Sequence, residues 1–340
     1  MIKVLIVDDS NVVRRISSQI LSAAPGIEVV GTAPDPYVAR DLIVTLKPDV
    51  VTLDIEMPRM DGLTFLRKLM AHYPIPVVIV STLTTRGGEV ALEAMSAGAV
   101  EVICKPSNDT SLSDMATDLV EAVRSAYHAR DRLSKRRQQA QVVQVQHSLA
   151  AATSMHLLAI GASTGGTVAI ESILQSLPAE TPGTVMVQHM PAFFTRSFAD
   201  RLGRVCKMRV REAVDGDLVE TGLALLAPGD KQMVVRNTPR GYVVSVLDGP
   251  RVSGHRPSVD VLFRSVARAA GKMALGVILT GMGADGAQGL AEMRKAGAHT
   301  LGQDEESSVV YGMPKVAFEL GAVEKQVPLE QMPHRILAAL

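Results

Sequence analysis

Short apolar runs alternate with segments of helical periodicity over the first 125 residues of the chain. The runs predict strands at Lys3–Val7, Glu28–Thr32, Asp49–Leu53, Pro76–Val80 and Val100–Ile103. Between the first two strands, apolar residues recur at the spacing of a helix, and Ser10 is placed to cap that helix. Such a βα pattern predicts a parallel sheet with helices on both faces, over residues 1–124.

A second α/β pattern follows a polar stretch. Residues 125–153 hold a basic cluster and a Gln/Val-rich run. We interpret this stretch as the solvated end of the last helix of the first domain running into a linker, because the cluster is too short and isolated for a nucleic-acid site. In residues 154–340 the predicted strands are His156–Ile160, Thr184–Gln188, Ala224–Ala227, Gln232–Arg236, Tyr242–Val246 and Met273–Leu279, and the predicted helices are Thr167–Leu177, Phe193–Leu202, Ser258–Ala270 and Ala287–Ala296. The turn at Asn237–Gly241 predicts a β-hairpin. We expect a doubly wound, mostly parallel α/β domain with one hairpin.

The composition narrows the class of protein. A chain of 340 residues exceeds one ordinary core, and a formal net charge of zero with 3% aromatic residues argues against a nucleic-acid partner. Lys3 and two carboxylates near the N-terminus argue against a signal peptide, and no apolar run approaches the ~18–20 residues that membrane insertion needs. Two cysteines, Cys104 and Cys206, argue against a disulfide framework and favour a cytoplasmic location.

Charged and hydroxyl side chains follow the predicted strands of the first domain. Asp8 and Asp9 come after the first strand, and Asp54 comes after the third. Because the carboxyl ends of neighbouring parallel strands converge, these carboxylates need a counter-ion, for which Mg²⁺ is the natural choice. Ser81 and Lys105, at the ends of the fourth and fifth strands, can supply a hydroxyl and a cation to the same pocket. Any one of these residues alone would be interpreted as a cap or turn residue, but the set indicates a site.

These residues resemble the receiver domain of bacterial two-component response regulators, which has a flavodoxin-like fold. The matching segments are IVDDS at 6–10, LDIEMPRMDG at 53–62, VST at 80–82 and KP at 105–106. The resemblance implies that Asp54 accepts a phosphoryl group. The implied Mg²⁺ ligands are Asp9, Asp54 and the backbone carbonyl of Glu56, with Asp8 acting through water.

The resemblance also implies a conformational switch in this domain. Ser81 would be the switch hydroxyl, and Lys105 would contact the phosphoryl group. Val102 stands where many receivers carry a switching aromatic residue, so the hydroxyl part of the switch is the better supported one.

The segment HLLAIGASTGG passes from an apolar strand through a turn into a helix. Residues 161–165 fit the G-x-S-x-G nucleophile elbow, in which the helix N-terminus directs backbone N–H groups at an oxyanion. Ser163 needs a base; His189 ends the strand TVMVQH, and Asp285 follows the strand ALGVILT. The order Ser, His, Asp differs from that of α/β-hydrolases, but a triad is defined by geometry.

Alternative interpretations exist for each of these residues. Ser163 can be a capping or phosphate-cradling serine, Asp285 can be the N-cap of the next helix, and His255 is a competing base. GMGADG matches a dinucleotide-binding motif, with Asp304 downstream, but Asp285 would set a carboxylate beside the pyrophosphate. A DNA-binding regulator would need a helix-turn-helix and a basic C-terminal domain, and a scaffold would need no nucleophile elbow.

The motifs IGASTGG, VQHMP, HRPSVDVLF and LTGMGADG, in that order after a receiver, resemble the CheB family of chemotaxis protein-glutamate methylesterases. The implied activity is a phosphorylation-activated serine hydrolase that demethylates glutamate γ-methyl esters on methyl-accepting chemotaxis receptors and deamidates certain receptor glutamines. The implied site residues are the triad Ser163, His189 and Asp285 and, for oxyanion and substrate, Thr164, Gly165, Gly166 and Met282. A chemotaxis histidine kinase is the expected phosphodonor, and the esterase is expected to need no cofactor. Gln232 stands where the family often has histidine, which concerns the rim of the cleft.

Overall fold

The computed structural model describes residues 1–82, 85–105, 112–136 and 157–340, and the chain divides into two compact units, residues 1–140 and 141–340. Pro106 of the KP pair, His156 and positions 137–153 of the expected linker lie outside the described residues. In the part that is described, no helix has both the length and the apolar character needed to cross a membrane.

The first unit is built on a five-stranded parallel sheet in the order β2-β1-β3-β4-β5. Its described elements are β1 (Ile2–Val7), α1 (Asn11–Ala23), β2 (Ile27–Ala33), α2 (Pro36–Leu46), β3 (Val50–Asp54), α3 (Gly62–His72), β4 (Val77–Ser81), α4 (Thr85–Ser96), β5 (Glu101–Cys104) and α5 (Leu112–Arg136). The central strands β3 and β4 are buried throughout, as expected of strands covered by helices on both faces. Ser10 caps α1, its hydroxyl accepting the Val13 N–H at 3.4 Å. The expected fold of this domain is confirmed.

The last helix of this unit ends within the stretch 125–153, which was expected to hold a helix end and a linker. α5 continues past position 125 and ends at Arg136. The helix keeps an apolar face beyond position 125, since Ala126 and Ala129 are fully buried. Arg130, from the basic cluster, forms an ion pair with Asp49 of the same unit. Burial and this ion pair carry the helix into that stretch.

The second unit is built on a seven-stranded sheet in the order β14-β13-β12-β6-β7-β9-β8, whose described pairs are parallel. Its described elements are β6 (Leu157–Ala162), α6 (Gly166–Ser176), β7 (Gly183–Gln188), α7 (Ala192–Val205), β8 (Arg209–Glu212), β9 (Leu223–Leu226), β10 (Gln232–Thr238), β11 (Gly241–Leu247), α8 (Val259–Ala270), β12 (Ala274–Ile278), α9 (Ala287–Lys295), β13 (His299–Gln303), α10 (Met313–Glu319), β14 (Lys325–Val327) and α11 (Met332–Ala339). The doubly wound α/β prediction is confirmed. The strands β8, β13 and β14 were not predicted, because they lie toward the edges of the sheet and lack continuous apolar runs.

The predicted hairpin is present as a separate antiparallel sheet. β10 pairs with β11 from Gln232↔Leu247 to Thr238↔Gly241, and Gly241 turns the chain at φ +108°. The hairpin is tied to α8 by a 2.8 Å hydrogen bond from the Val235 N–H to the Ser265 hydroxyl. The loop after β11 leads to the N-terminus of α8, which forms part of the candidate active site described below.

Candidate active site and phosphorylation site

Strand ends of the first unit meet in one acidic pocket. Asp8 follows β1, Asp54 ends β3, Ser81 ends β4 and Lys105 follows β5. The Lys105 Nζ lies 2.8 Å from Asp8 Oδ2 and 2.7 Å from Asp54 Oδ2. The structure therefore brings together the side chains that the strand-end argument selected.

The electrostatics of this pocket centre on Asp54, which is 1% exposed. Burial raises the pKa of Asp54 to about 6, with a further contribution from the Asp8 charge, while Lys105 acts in the opposite direction. Burial alone would lower the pKa of Lys105, but its contacts with both carboxylates raise it, so the ammonium stays charged. Two carboxylates thus share one cation.

The same pocket fits a divalent cation. Asp8, Asp9 and Asp54 each present a carboxylate oxygen, and these oxygens lie within 4.8 Å of one another. An all-oxygen donor set of this kind suits Mg²⁺. The Ser81 hydroxyl is buried and has no hydrogen-bond partner among the described residues, which leaves a donor for an incoming group. The Glu56 N–H donates to Asp54 Oδ1 at 3.1 Å, so Glu56 lies beside the pocket as expected.

Ser163 and His189 follow neighbouring strands of the second unit in register. Ala162, the last residue of β6, pairs with Gln188, the last residue of β7, and the His189 N–H donates to the Ala162 carbonyl at 3.1 Å. On the other side, the Ser163 N–H donates to the Thr280 carbonyl at 3.0 Å, just beyond β12. The turn that carries Ser163 is therefore held between β7 and β12.

The Asp285 carboxylate accepts four hydrogen bonds from described residues. Its Oδ2 accepts from His189 Nε2 at 2.8 Å and from the Val259 N–H at 2.7 Å. Its Oδ1 accepts from the Ser258 hydroxyl at 2.7 Å and from the Asp260 N–H at 3.0 Å. Burial by itself raises the pKa of Asp285, but the bonds from His189, Ser258 and Asp260 outweigh it and hold this pKa below its ordinary value. The carboxylate is anchored at the N-terminus of α8, where a negative charge is favourable.

This anchoring decides between two interpretations of Asp285. The N-cap position of α9 is occupied by Gly286, at φ +88°. Both carboxylate oxygens of Asp285 are engaged by His189 and by α8, so the side chain does not cap its own helix.

The imidazole of His189 uses one nitrogen and leaves the other open. A carboxylate only accepts hydrogen bonds, so the Nε2 that faces Asp285 carries a proton, and in the neutral imidazole Nδ1 then has a lone pair. Nδ1 is buried and has no partner within the described residues. Nor does any hydrogen bond among them join the Ser163 hydroxyl to this ring. The expected link from base to acid is thus formed, while the link from nucleophile to base is open, as is common in unliganded enzymes.

His255, the competing base, lies flat against the ring of His189. The two ring centroids are 3.7 Å apart and the planes differ by 16°. Burial, followed by the neighbouring His189, lowers the pKa of His255 to about 3. A group with so low a pKa is a weak proton acceptor at neutral pH, and the bond to Asp285 belongs to His189. The geometry therefore favours His189 as the base.

The residues expected to bind an oxyanion lie on two loops that meet at Ser163. A Cβ added at Gly281 would lie 2.7 Å from the Ser163 Cβ, so the loop that continues into Met282 passes directly beside the serine. Gly165 has φ +78°, and a side chain there would collide with a neighbouring valine. The Gly166 N–H donates to the Ser163 carbonyl at 2.7 Å. Gly166 therefore uses its backbone donor inside the turn, and its expected oxyanion or substrate role stays a prediction.

Sequence reasoning missed the side chains that support this turn. The Thr280 hydroxyl donates to the Thr164 carbonyl at 2.9 Å, while the Thr280 carbonyl accepts the Ser163 N–H. The amide of Gln188 donates to the Ser163 carbonyl at 2.9 Å. Both residues belong to the motifs LTGMGADG and VQHMP, but a single polar residue beside a strand end carries no signal of its partner.

Gln232, at the start of β10, is buried and bonds to two segments that contribute to the site. It is 5% exposed, and its Nε2 donates to the carbonyls of Pro250 at 3.0 Å and His255 at 3.3 Å. Its Oε1 accepts the Ser258 N–H at 2.9 Å. Gln232 therefore holds the loop that carries His255 and the N-terminus of α8.

One α/β unit holds an acidic pocket of the phosphoacceptor type, and the other holds a serine beside a His–Asp pair at its strand ends. Together these features define a class of serine hydrolases that carry a receiver domain. The family model described as CheB methylesterase matches residues 158–336, and that of the response regulator receiver domain matches residues 4–117. The chain belongs to the CheB methylesterase family and carries a receiver domain.

Relatives match over the whole chain. A protein-glutamate methylesterase/protein-glutamine glutaminase 4 from Anaeromyxobacter dehalogenans is 57% identical, over 99% of this chain and 94% of its own length. A protein-glutamate methylesterase/protein-glutamine glutaminase 2 from Syntrophus aciditrophicus is 54% identical, over 99% and 98%. The crystal structure of the Thermotoga maritima CheB methylesterase catalytic domain is 32% identical, with a TM-score of 0.54, and covers 55% of this chain and 100% of that one. The expected family is thereby confirmed.

Proposed function

We propose that this protein is a phosphorylation-activated methylesterase that hydrolyses glutamate γ-methyl esters on chemotaxis receptors and deamidates certain receptor glutamines. The relatives carry both activities in their names. The observation that supports catalysis at this site is the 2.8 Å contact between His189 Nε2 and Asp285 Oδ2, on the strand end beside Ser163.

The proposed reaction uses the open nitrogen of His189. Nδ1 takes the proton of the Ser163 hydroxyl as its oxygen attacks the ester carbonyl, and Asp285 stabilises the imidazolium that forms. The oxyanion faces the two loops that meet at Ser163, where the backbone N–H groups of Gly165 and Met282 are the predicted donors. The imidazolium then protonates the departing methoxide oxygen, or the amide nitrogen of a glutamine, so that methanol or ammonia leaves and an acyl-enzyme remains. Water reverses these roles and releases a glutamate carboxylate.

The proposed regulator is the receiver, with Asp54 phosphorylated by a chemotaxis histidine kinase. The residues that would hold Mg²⁺ are Asp9, Asp54 and the backbone carbonyl of Glu56, with Asp8 acting through water. When bound, the cation would neutralise phosphoryl charge. Lys105 would contact the phosphoryl group, and the buried Ser81 hydroxyl would gain an acceptor. The cytoplasmic location inferred from the sequence stays a prediction.

Two matched variants test this function. Methanol release from methylated receptors is measured with the full chain, with and without an acyl phosphate donor. We expect Ser163→Ala to lose about 10⁴–10⁶-fold in rate while it keeps the wild-type circular dichroism spectrum. Asp54→Asn should keep basal release and lose the rise that the phosphodonor causes. Substantial turnover by the Ser163→Ala protein would exclude the proposed nucleophile.

A further inference from the structure

One buried amide joins the backbone of the proposed nucleophile to the backbone of the proposed base. Gln188 ends β7 and is 1% exposed. Its Nε2 donates to the Ser163 carbonyl at 2.9 Å and to the His189 carbonyl at 3.0 Å. Both donor positions of the amide nitrogen therefore go to the two catalytic strand ends.

The Gln188 amide lies at the point where the pairing of β6 with β7 ends. The ladder between β6 and β7 ends at the pair Ala162↔Gln188, followed by the bond from the His189 N–H to the Ala162 carbonyl. The next carbonyls, those of Ser163 and His189, have no strand partner to fix their separation. The Gln188 side chain bonds to both carbonyls and so extends the hydrogen bonding between the two strands by one residue beyond each strand end.

The surrounding turn leaves space for this side chain. A Cβ added at Gly166 would lie 2.1 Å from the Gln188 Oε1, so a glycine at this position admits the amide. The Gly166 N–H also donates to the Ser163 carbonyl, at 2.7 Å. That carbonyl is thus held from both sides, by the turn and by Gln188.

We propose that Gln188 is a positioning residue, which sets the distance between Ser163 and His189 so that the hydroxyl can reach Nδ1. The inference rests on the proposed function. It explains why a polar side chain is buried next to apolar strands, since the amide replaces backbone pairing at the point where the strands must end. A displacement of about 1 Å between reacting groups can cost about 10²-fold in rate.

The test compares Gln188→Met, which keeps the length and removes the donor, with Gln188→Glu, which keeps the shape and replaces the donor by an acceptor. The control is Gln326→Met, in the edge strand β14, where the amide bonds only to Tyr311 among described residues. kcat and KM for methanol release are measured with the phosphorylated full chain, together with Tm and the rate at which a fluorophosphonate labels Ser163.

For both Gln188 variants we expect kcat and the labelling rate to fall by about 10–100-fold, with KM within about threefold of wild type. Gln326→Met should keep wild-type values. Wild-type kcat in a folded Gln188→Met protein would overturn the proposal, as would a loss that only follows the folded fraction or a rise in KM at constant kcat. If Gln188→Met does not fold, Gln188→Glu decides by the same criteria. The proposed function fails separately, through retained turnover by Ser163→Ala.

Discussion

Replacing Asp285 by asparagine tests the carboxylate that connects the base to the N-terminus of α8. Each oxygen of Asp285 accepts two donors: His189 and Val259 on Oδ2, and Ser258 and Asp260 on Oδ1. Asparagine keeps only one oxygen, so its NH₂ group must face two of these donors in either orientation. The variant therefore loses bonds as well as charge.

The loss of folding stability in Asp285→Asn follows from the less unfavourable of the two orientations of the asparagine amide. With NH₂ in the Oδ1 position, the Ser258 hydroxyl can rotate to accept from it and must turn its own O–H to another acceptor, while the Asp260 N–H is left without one. An unpaired buried donor costs about 1–3 kcal/mol, and weakening the charge-assisted bond to His189 adds about 1 kcal/mol. A loss of about 2–4 kcal/mol corresponds to a fall in Tm of about 5–15 °C for a domain of this size.

The catalytic effect is larger than the effect on stability. Without the negative charge of Asp285, the imidazolium of His189 is not stabilised, and the opposite orientation of the amide would favour the wrong tautomer. We expect kcat to fall about 10³–10⁴-fold. The assay is methanol release by the phosphorylated chain, below the Tm of the variant. Asp304→Asn is the control, since Asp304 accepts from the Ser307 N–H in a turn at the end of β13.

The pH dependence of unfolding gives a second readout. The pKa of folded Asp285 lies below its ordinary value of 3.8, so the ionised form stabilises the folded state. This contribution is complete above about pH 4 and is lost as the pH falls through the folded pKa. Wild type should therefore lose more stability on acidification than Asp285→Asn, as measured by urea unfolding. A kcat within tenfold of wild type in the folded variant would refute this account of Asp285.

The remaining predictions concern the neighbours of the two sites. His255→Phe should keep kcat within about fivefold because an aromatic ring can still stack on His189, whereas His255→Ala should lose about tenfold; equal losses in a kcat assay would mean that the imidazole itself is needed. Gly166→Ala should lower Tm by several degrees in calorimetry, because its Cβ would lie 2.1 Å from the Gln188 Oε1; an unchanged Tm would contradict this. Lys105→Met should abolish activation by an acyl phosphate and keep basal methanol release, and retained activation would show that the ammonium is dispensable.

Much of the fold could be predicted because strands buried on both faces have continuous apolar sequences. VVIVS of β4 and LLAIGA of β6 are buried at every position, and both were predicted within one or two residues at each end. RVRE of β8 and HTLGQ of β13 are not recognisable in this way, since a neighbouring strand rather than their own composition makes them extended. The residue at which α5 ends could not be predicted, because contacts with its own unit, and not helix propensity, decide where it ends.

The parallel topology also made the site positions predictable, since strand carboxyl ends meet at one edge of a sheet. This rule selected Asp54, Lys105, Ser163 and His189 from the sequence alone.

The sequence by itself determined the two α/β patterns and the reactive residue types at the strand ends. Only the tertiary structure decided which groups contact these residues. The N-terminus of α8 donates to Asp285, the ring of His255 stacks on His189, and the amide of Gln188 donates to the Ser163 carbonyl. The physical reason is the separation along the sequence over which each kind of interaction acts. Periodicity and turn chemistry act over a few residues, whereas Gln188 and Ser163 are 25 positions apart, and His189 and Asp285 are 96 positions apart, so their contacts depend on strand register and packing.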